Sequence, residues 1–440
     1  MNPWIAGLMF PMLFLLIFAG LPVAFALTLT AAAAGWFAFG PSLFDQLYGG
    51  VYSAATNFIL SAIPMFVLMG ALLERSGIAA RLFHTMQLWL GRLPGGLAVA
   101  TIAMAAVFAA SAGVVGAVEI MVGLMAIPAM QKYRYNNALV AGTVCAGGSL
   151  GTMIPPSVIA VMYASLAQIS IGEVLAATVF PGILMIGLFL AYVMLRCWLR
   201  PQDGPPMDAQ DMQVSLAQKL RLTVTSLLPA LLLIVAVLGS LLGGMASPTE
   251  AAALGAVGAL LLCAAYGQLT PAVLRQALAL TVRISAMILL IVAAGMMFMG
   301  VFAANGGARL IQNTVANWDL GVTATLALML LIVFLLGFVL DWTANVLICV
   351  PLFTPMIRAL GVDPVWFATL VIIVIQTSYL TPPMASSIFY LKSIAPPNMT
   401  YGQMCRGVLP FIAIQLLTLA LVAAMPALAT WLPSRIVGFG

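Results

Sequence analysis

Apolar residues run along this chain in long stretches separated by short polar clusters. Read with a window of about 19 residues, the pattern predicts membrane spans at 4–20, 23–40, 53–73, 94–130, 138–163 and 174–199 in the first half. In the second half the spans fall at 222–245, 249–268, 276–303, 321–357, 365–391 and 407–432. One long polar stretch, 200–216, divides the chain almost in half. The opening apolar run has no basic residue before it, and the first Lys or Arg is Arg75. A cleavable signal peptide needs a basic leading region, so the first helix is expected to remain as a span.

A dividing loop at the midpoint is where a duplicated unit would be joined. Landmarks do recur at a near-constant offset. Pro22 and Pro248 are 226 apart, Gly40 and Gly267 are 227 apart, and Ala79-Ala80-Arg81-Leu82 and Gly307-Ala308-Arg309-Leu310 are 228 apart. Ile127-Pro128 with Thr354-Pro355, Ile154-Pro155-Pro156 with Thr381-Pro382-Pro383, and Tyr163 with Tyr390 all lie 227 apart. The expected organisation is a first repeat over 1–199, a cytoplasmic linker over 200–216, and a second repeat over 217–440.

Two features of each half do not read as simple spans. The stretch 94–130 holds one charge, Glu119, and its midpoint Ala110-Ser111-Ala112-Gly113 is uncharged. Two full crossings need about 40 apolar residues and a wet turn, so a re-entrant hairpin fits better than two short ordinary helices. Its counterpart is 321–357, turning near Phe338–Asn345. The second feature is a broken helix. Gly147-Gly148-Ser149-Leu150-Gly151-Thr152 followed by Pro155-Pro156-Ser157 interrupts 138–163, and Gln376–Pro383 interrupts 365–391. Glycines and a double proline cannot carry a continuous helix. Pro155 and Pro156 suit the first turn of a new half-helix, and a plain proline kink would leave the accompanying Gly/Ser/Thr cluster unexplained. The fold class expected is therefore an all-α polytopic membrane protein. It would be an inverted repeat with scaffold helices at 4–73 and 222–268, hairpins at 94–130 and 321–357, and broken helices at 138–163 and 365–391.

Composition agrees. Of 440 residues 64% are hydrophobic and 6% charged, with a mean hydropathy of +1.17. A soluble domain is about half apolar and a quarter charged, so lipid is the expected solvent; a disordered chain, a coiled coil and a disulfide scaffold are excluded. Cys145, Cys197, Cys263, Cys349 and Cys405 have no disulfide or metal spacing and read as small hydrophobes. The net charge of +5 is scattered over loops, which reads as orientation charge and not as a nucleic-acid patch. With a cytoplasmic central loop and hairpins that do not cross, Arg75, Arg81, Arg92, Lys132, Arg134, Arg196, Arg200, Lys219, Arg221, Arg275, Lys392 and Arg406 fall inside. Only Arg309, Arg358 and Arg435 fall outside, and Arg283 lies within a span. That bias puts both termini outside, gives each half five full spans and a hairpin, and inverts one half relative to the other.

The chemistry points to a gradient-driven transporter. There is no G-x-x-x-x-G-K-[ST], and Lys132, Lys219 and Lys392 follow no glycine-rich loop, so ATP is not the expected energy source. Glu119 and Asp341 are intramembrane carboxylates, which makes a proton relay conceivable. The hairpin tips and helix breaks otherwise offer neutral oxygens: Ser111, Ser149, Thr152, Thr343, Asn345, Thr377, Ser378 and Thr381. Neutral oxygens coordinate Na⁺, and half-helix N-termini attract anions, so Na⁺-coupled uptake of an anion is the leading reading. Asp341 has three readings open to it: a helix cap, an ion ligand or a proton site. His84 reads as interfacial, Arg283 as a snorkelling side chain, and Trp4, Trp89, Trp198, Trp318 and Trp431 as belt anchors. A membrane enzyme would need a nucleophile–base pair or a metal cluster, and no such grouping occurs. A channel accounts less well for broken helices facing opposed hairpins.

From about residue 5 to 432 the chain resembles the large membrane subunit of the tripartite ATP-independent periplasmic (TRAP) transporters, the dicarboxylate-type M subunit. The resemblance rests on Ile63-Pro64-Met65-Phe66, Leu93-Pro94-Gly95-Gly96-Leu97, Gly147–Gly151 followed by Ile154-Pro155-Pro156-Ser157, Phe180-Pro181-Gly182 and Leu380-Thr381-Pro382-Pro383. It implies an elevator mechanism in the bacterial inner membrane, with a transport domain of hairpins and broken helices moving against a scaffold. It implies Na⁺ as coupling ion at two sites, one using Ser111, Ala112, Gly113, Gly148, Ser149 and Gly151. The other would use Asp341, Thr343, Asn345, Thr377 and Thr381. Substrate is expected at Thr152, Pro155, Ser157, Ser378 and Pro382. The implied cargo is a small organic acid, and the implied partners are a small four-helix membrane subunit and a periplasmic substrate-binding protein. A stand-alone Na⁺- or H⁺-coupled anion symporter of related fold is the alternative. Many family members have several serines at the first hairpin tip, whereas Ser111-Ala112-Gly113-Val114 leaves more of the coordination to backbone carbonyls.

Overall fold

The fold follows from helices that are apolar on most faces and punctuated by caps and glycines. The computed structural model describes residues 3–112, 115–208, 214–307, 309–310, 321–338, 340–382 and 385–436. The first half holds α1 (Pro3–Phe18), α2 (Val23–Phe39), α3 (Leu43–Thr56), α4 (Ala62–Arg75), α5 (Ile78–Leu90), α6 (Gly96–Ala112), α7 (Val115–Lys132), α8 (Asn137–Ser149), α9 (Val158–Ala167) and α10 (Ile171–Leu199). The second holds α11 (Leu216–Leu242, with a π-helical turn at Thr223–Leu227), α12 (Pro248–Ala265), α13 (Pro271–Ala304), α14 (Val322–Leu336), α15 (Trp342–Ala359), α16 (Pro364–Leu380), α17 (Ser386–Ile394), α18 (Tyr401–Ala424) and α19 (Ala427–Arg435). Among the described residues eight helical stretches are long and apolar enough to cross a membrane.

The repeat is written in the backbone as well as in the letters. Gly40 and Gly267, 227 apart, both end a helix in the left-handed region, and so do Arg134 and Gly361, also 227 apart. Asn136 and Asp363, at the same offset, are N-caps. Asn136 accepts from the N–H groups of Ala138 and Leu139, and Asp363 from those of Val365 and Trp366. Each cap satisfies donors that a helix start otherwise leaves orphaned.

Two groups of helices result. α1–α4 pack with α11–α13; α6–α10 pack with α14–α19. Small residues set the closest approaches, as lipid-embedded packing requires. A Cβ on Gly142 of α8 would stand 2.1 Å from the Gly407 carbonyl oxygen of α18, and one on Gly407 2.0 Å from that of Ala138. A Cβ on Gly50 of α3 would stand 2.9 Å from the Met297 backbone of α13.

Several expectations need correction. The span expected at 53–73 is two helices: α3 begins at Leu43, inside what read as a loop, and the chain breaks where Asn57 accepts from the Ile59 N–H and opens a 3₁₀ turn. His84 lies within α5, a helix that the predicted spans do not include. Pro155 and Pro156 precede α9, whose N-cap is Ser157, so they are not its first turn. The span at 407–432 is divided at Met425–Pro426 into α18 and α19. The start of the linker is not a loose tether. Gly204 accepts from the Gly95 N–H at 2.8 Å, Asp203 from the Asn136 N–H at 3.0 Å, and Gly91 from the Met207 N–H at 2.8 Å. The buried Asp203 carboxylate pairs with Arg196 at 3.0 Å.

Gly407→Leu is expected to separate α8 from α18. Because backbone stands on both sides, the cost should reach at least about 3 kcal/mol, measured as a lowered melting temperature of the purified protein. Asn136→Ala should cost about 1 kcal/mol by the same assay.

Candidate functional site

The helix interruptions converge because each hairpin packs against both broken helices. The first hairpin, α6–α7, lies on α8 and the 3₁₀ turn Leu150–Thr152, and α7 also meets α17 of the other repeat. The second, α14–α15, lies on α16, and α15 also meets α9. Matching ties hold the hairpin bases. Arg358 donates to the Ala167 carbonyl, which ends α9, at 3.0 Å. Gln131, 227 residues earlier, donates to Asn398, just past α17, at 3.1 Å.

At the second hairpin, Asp341 caps α15 by accepting from the Ala344 N–H at 3.2 Å, and its side chain is exposed. The cap reading of Asp341 is therefore realised in this geometry. The Asn345 amide donates to the Val333 carbonyl at 2.9 Å and its oxygen accepts from the Cys349 thiol at 3.1 Å, which pins the two arms together. The Thr343 hydroxyl is fully buried and has no partner among the described residues. Gly337 sits so close to α16 that a Cβ would stand 2.0 Å from Ser378 Oγ and 2.5 Å from its Cβ. Asn345, Gly337 and Ser378 are thus brought together. Thr377 and Thr381 donate back to the carbonyls of Ile373 and Thr377, both at 2.7 Å, and Ser378 to that of Ile375. Pro382 is half-buried beside them.

At the first hairpin, Ser111 and Ala112 end α6; their side chains and the whole of Gly113 lie outside the described residues. Gly148 faces Glu119 of α7, and a Cβ there would stand 2.7 Å from Glu119 Cβ. Gly151 is buried in the 3₁₀ turn. Ser149 turns the other way, toward the centre of the helix group. It accepts from the Gln376 amide at 3.2 Å and the Gln415 amide at 3.3 Å, and donates to the Ala146 carbonyl at 2.8 Å. Thr152 donates to the Ser149 carbonyl and Ser157 to the Thr152 carbonyl, so the turn before α9 is tied by its own hydroxyls. Pro155 is buried in that turn.

The fold gathers here further groups that the ion and substrate sites expected from the sequence did not include. Gln376 and Ser149 are 227 apart, and two positions one repeat apart can touch only near the axis relating the halves. The outer oxygens of Gln376 and Gln415 and the Thr143 hydroxyl are buried without partners among the described residues. Glu119 is fully buried; Ser387 of α17 donates to its Oε1 at 2.5 Å and its Oε2 has no partner among the described residues. Tyr379 and Tyr390 stack at 6.5 Å, and Gly116, just past the first hairpin tip, lies against the Tyr390 ring. The 268 residues between Glu119 and Ser387 leave no local signal in the sequence, and only the recurrence of Tyr163 and Tyr390 marked that ring. Among the described residues no group of three or more His, Cys, Asp or Glu could hold a metal ion. The arrangement offers neutral oxygens, two carboxylates and the N-terminal ends of α9, α15 and α17, which suits the binding and release of a charged ligand.

Comparisons with known proteins agree with this architecture. Residues 10–428 match the family described as "Tripartite ATP-independent periplasmic transporter, DctM component". The C4-dicarboxylate TRAP transporter large permease protein DctM of Pseudomonas aeruginosa is 32% identical over 401 residues, which cover 90% of this chain and 91% of that one. The isethionate TRAP transporter permease protein DctMQ of Oleidesulfovibrio alaskensis is 30% identical over 419 residues, covering 94% of this chain but 64% of that longer protein. Among solved structures, the YdaH transporter of Alcanivorax borkumensis shares the fold, with a TM-score of 0.62 at 16% identity over 92% of this chain and 90% of that one.

Gly337→Ala should drive the second hairpin off α16 and abolish activity in an uptake assay. Ser378→Gly in the same protein should restore part of it. A double-mutant cycle on melting temperature should show coupling above about 1 kcal/mol; additive losses would mean the two positions do not touch.

Proposed function

Because the chain belongs to the tripartite ATP-independent periplasmic transporter DctM family, we propose that it carries a small organic acid inward by Na⁺-coupled symport with elevator alternating access. The chain is a multi-pass inner-membrane permease. In this reading α1–α4 and α11–α13 stay fixed while the hairpins and broken helices move with the cargo. Na⁺ is a co-transported substrate here. The observation that carries this reading is the fully buried Thr343 hydroxyl, which has no partner at the tip of the second hairpin. A buried hydroxyl left unpaired costs stability, and a cation arriving beside Asp341 and Asn345 would remove that cost. With no Lys or Arg in the described parts of 337–345, 147–157 and 376–386, the anion's charge would be balanced by Na⁺ and by helix N-termini.

The relatives compared above are named for a C4-dicarboxylate and for isethionate. A small organic anion is therefore the class we propose, with carboxylates first. Large permeases of this family work with a small membrane subunit and a periplasmic binding protein. We propose both as partners here, the small subunit either separate or fused, as the DctMQ relative's name suggests for that protein.

Uptake into proteoliposomes that hold the permease and both partners should require Na⁺ and respond to membrane potential, since 100 mV is worth about 2.3 kcal/mol per charge moved. Thr343→Val and Thr381→Ala should each raise the Na⁺ concentration for half-maximal uptake by about tenfold, roughly 1.4 kcal/mol, with substrate affinity less affected. Ser149→Ala should also weaken Na⁺ dependence, but it frees two glutamine amides as well, so Thr343→Val is the cleaner variant. Full activity in Na⁺-free buffer under a proton gradient would transfer coupling to Asp341 and Glu119. Saturable uptake at micromolar substrate by the chain alone would favour a stand-alone symporter. An Asp208→Cys variant should react with an impermeant thiol reagent only from the cytoplasmic side.

A further inference from the structure

The outer face of α10 carries two grooves that neither the repeat nor the site uses. One is an open groove of about 450 Å³ between Leu93 and Pro94 on one wall and Met194, Leu195 and Trp198 on the other. The second, of about 420 Å³, is an open depression lined by Tyr192, Leu195, Leu199, Arg196 and Arg200. Leu195 belongs to both and stands between them as a ridge, 55% exposed. Both grooves lie in the last two turns of a 29-residue crossing helix, beside an exposed Trp198 of the kind that sits at the headgroup level.

Charge adds to the shape of this surface. Arg196 spends its Nε on Asp203 and one terminal nitrogen on the Tyr192 hydroxyl at 2.9 Å, which leaves donors of its fork over. Arg200 is exposed, and its guanidinium has no side-chain partner among the described residues. Asp203 is buried and turned toward Arg196 and Asn136, so it does not cancel Arg200. Asp208 is exposed, and Met207 before it is tied by its N–H to the Gly91 carbonyl. The result is one guanidinium with no acidic partner among the described residues, at the edge of two shallow grooves, the first walled by apolar side chains and the second by Leu195 and Leu199 with Tyr192, Arg196 and Arg200.

We propose that this surface is a binding site for one anionic glycerophospholipid, its two acyl chains lying on either side of Leu195 and its phosphate held by Arg200 and the free donors of Arg196. A guanidinium fork suits a phosphate oxygen pair, and basic pockets between helices on the cytoplasmic side recognise such headgroups. The lipid must carry net negative charge, because a headgroup amine would compete with Arg200 for the phosphate.

The purified full-length permease, held with its partner subunits, is mixed with equal amounts of phosphatidylglycerol and phosphatidylethanolamine in detergent. Retained lipid is then counted by native mass spectrometry. The wild type should keep phosphatidylglycerol over phosphatidylethanolamine by about tenfold. Arg200→Gln should bring the two to parity. Leu195→Trp, which fills both grooves and leaves Arg200 in place, should lower retention of both lipids. Both side chains are exposed, so unchanged melting temperatures are expected to accompany these losses. No preference in the wild type, or either variant behaving as the wild type does, overturns the site.

Discussion

A peptide group inside hydrocarbon has no water to turn to, and each one left unpaired costs several kcal/mol. This chain turns back at two hairpins and breaks two helices that face them, and such interruptions must be covered by protein. The cover comes crosswise. The half-helix α17 of the second repeat closes over α7 of the first, and α9 of the first closes over α15 of the second. The Arg358–Ala167 and Gln131–Asn398 ties finish each end. Neither repeat could bury its own breaks alone. The polar centre is thus the unavoidable result of two half-structures covering each other, and the groups stranded within it are the ones available to a ligand.

Most of this frame was legible in the sequence because its signals are long or local. Twenty apolar residues announce a crossing, and a double proline after three glycines announces a break. A landmark repeated at 227 residues announces duplication wherever it falls. The family itself was legible from motifs such as Leu93–Leu97 and Leu380–Pro383. Elements shorter than the reading window were hidden. Helix α5 is one-sided, with Leu82, Phe83 and Leu88 buried and Arg81, His84 and Trp89 exposed, so no window of 19 residues finds it apolar. Helix α3 carries Asp45, two glycines and three polar side chains, and it read as a loop for the same reason.

The candidate centre was legible one residue at a time. Asp341, Thr343 and Asn345 stand out as polar letters in an apolar run. Orientation does not show in letters: Gly148 and Ser149 are neighbours, yet one faces Glu119 and the other faces Gln376 and Gln415. The linker shows the converse limit. Its polarity suggested water, but Asp203 is buried because Arg196, Asn136 and the Gly95 loop satisfy it and its neighbours from three sides. Polar composition marks a need for partners and does not say whether water or protein supplies them.

The contact between Ser149 and Gln376 bears on the symmetry of the fold. In a pair of identical halves, each residue on the relating axis would face its own copy, and any change there would alter both sides of the contact at once. A serine hydroxyl facing a glutamine amide is a pairing that identical halves could not make. One chain that carries both halves can place different residues at the two ends of that contact, so its most constrained position is free of the demand that a side chain suit itself.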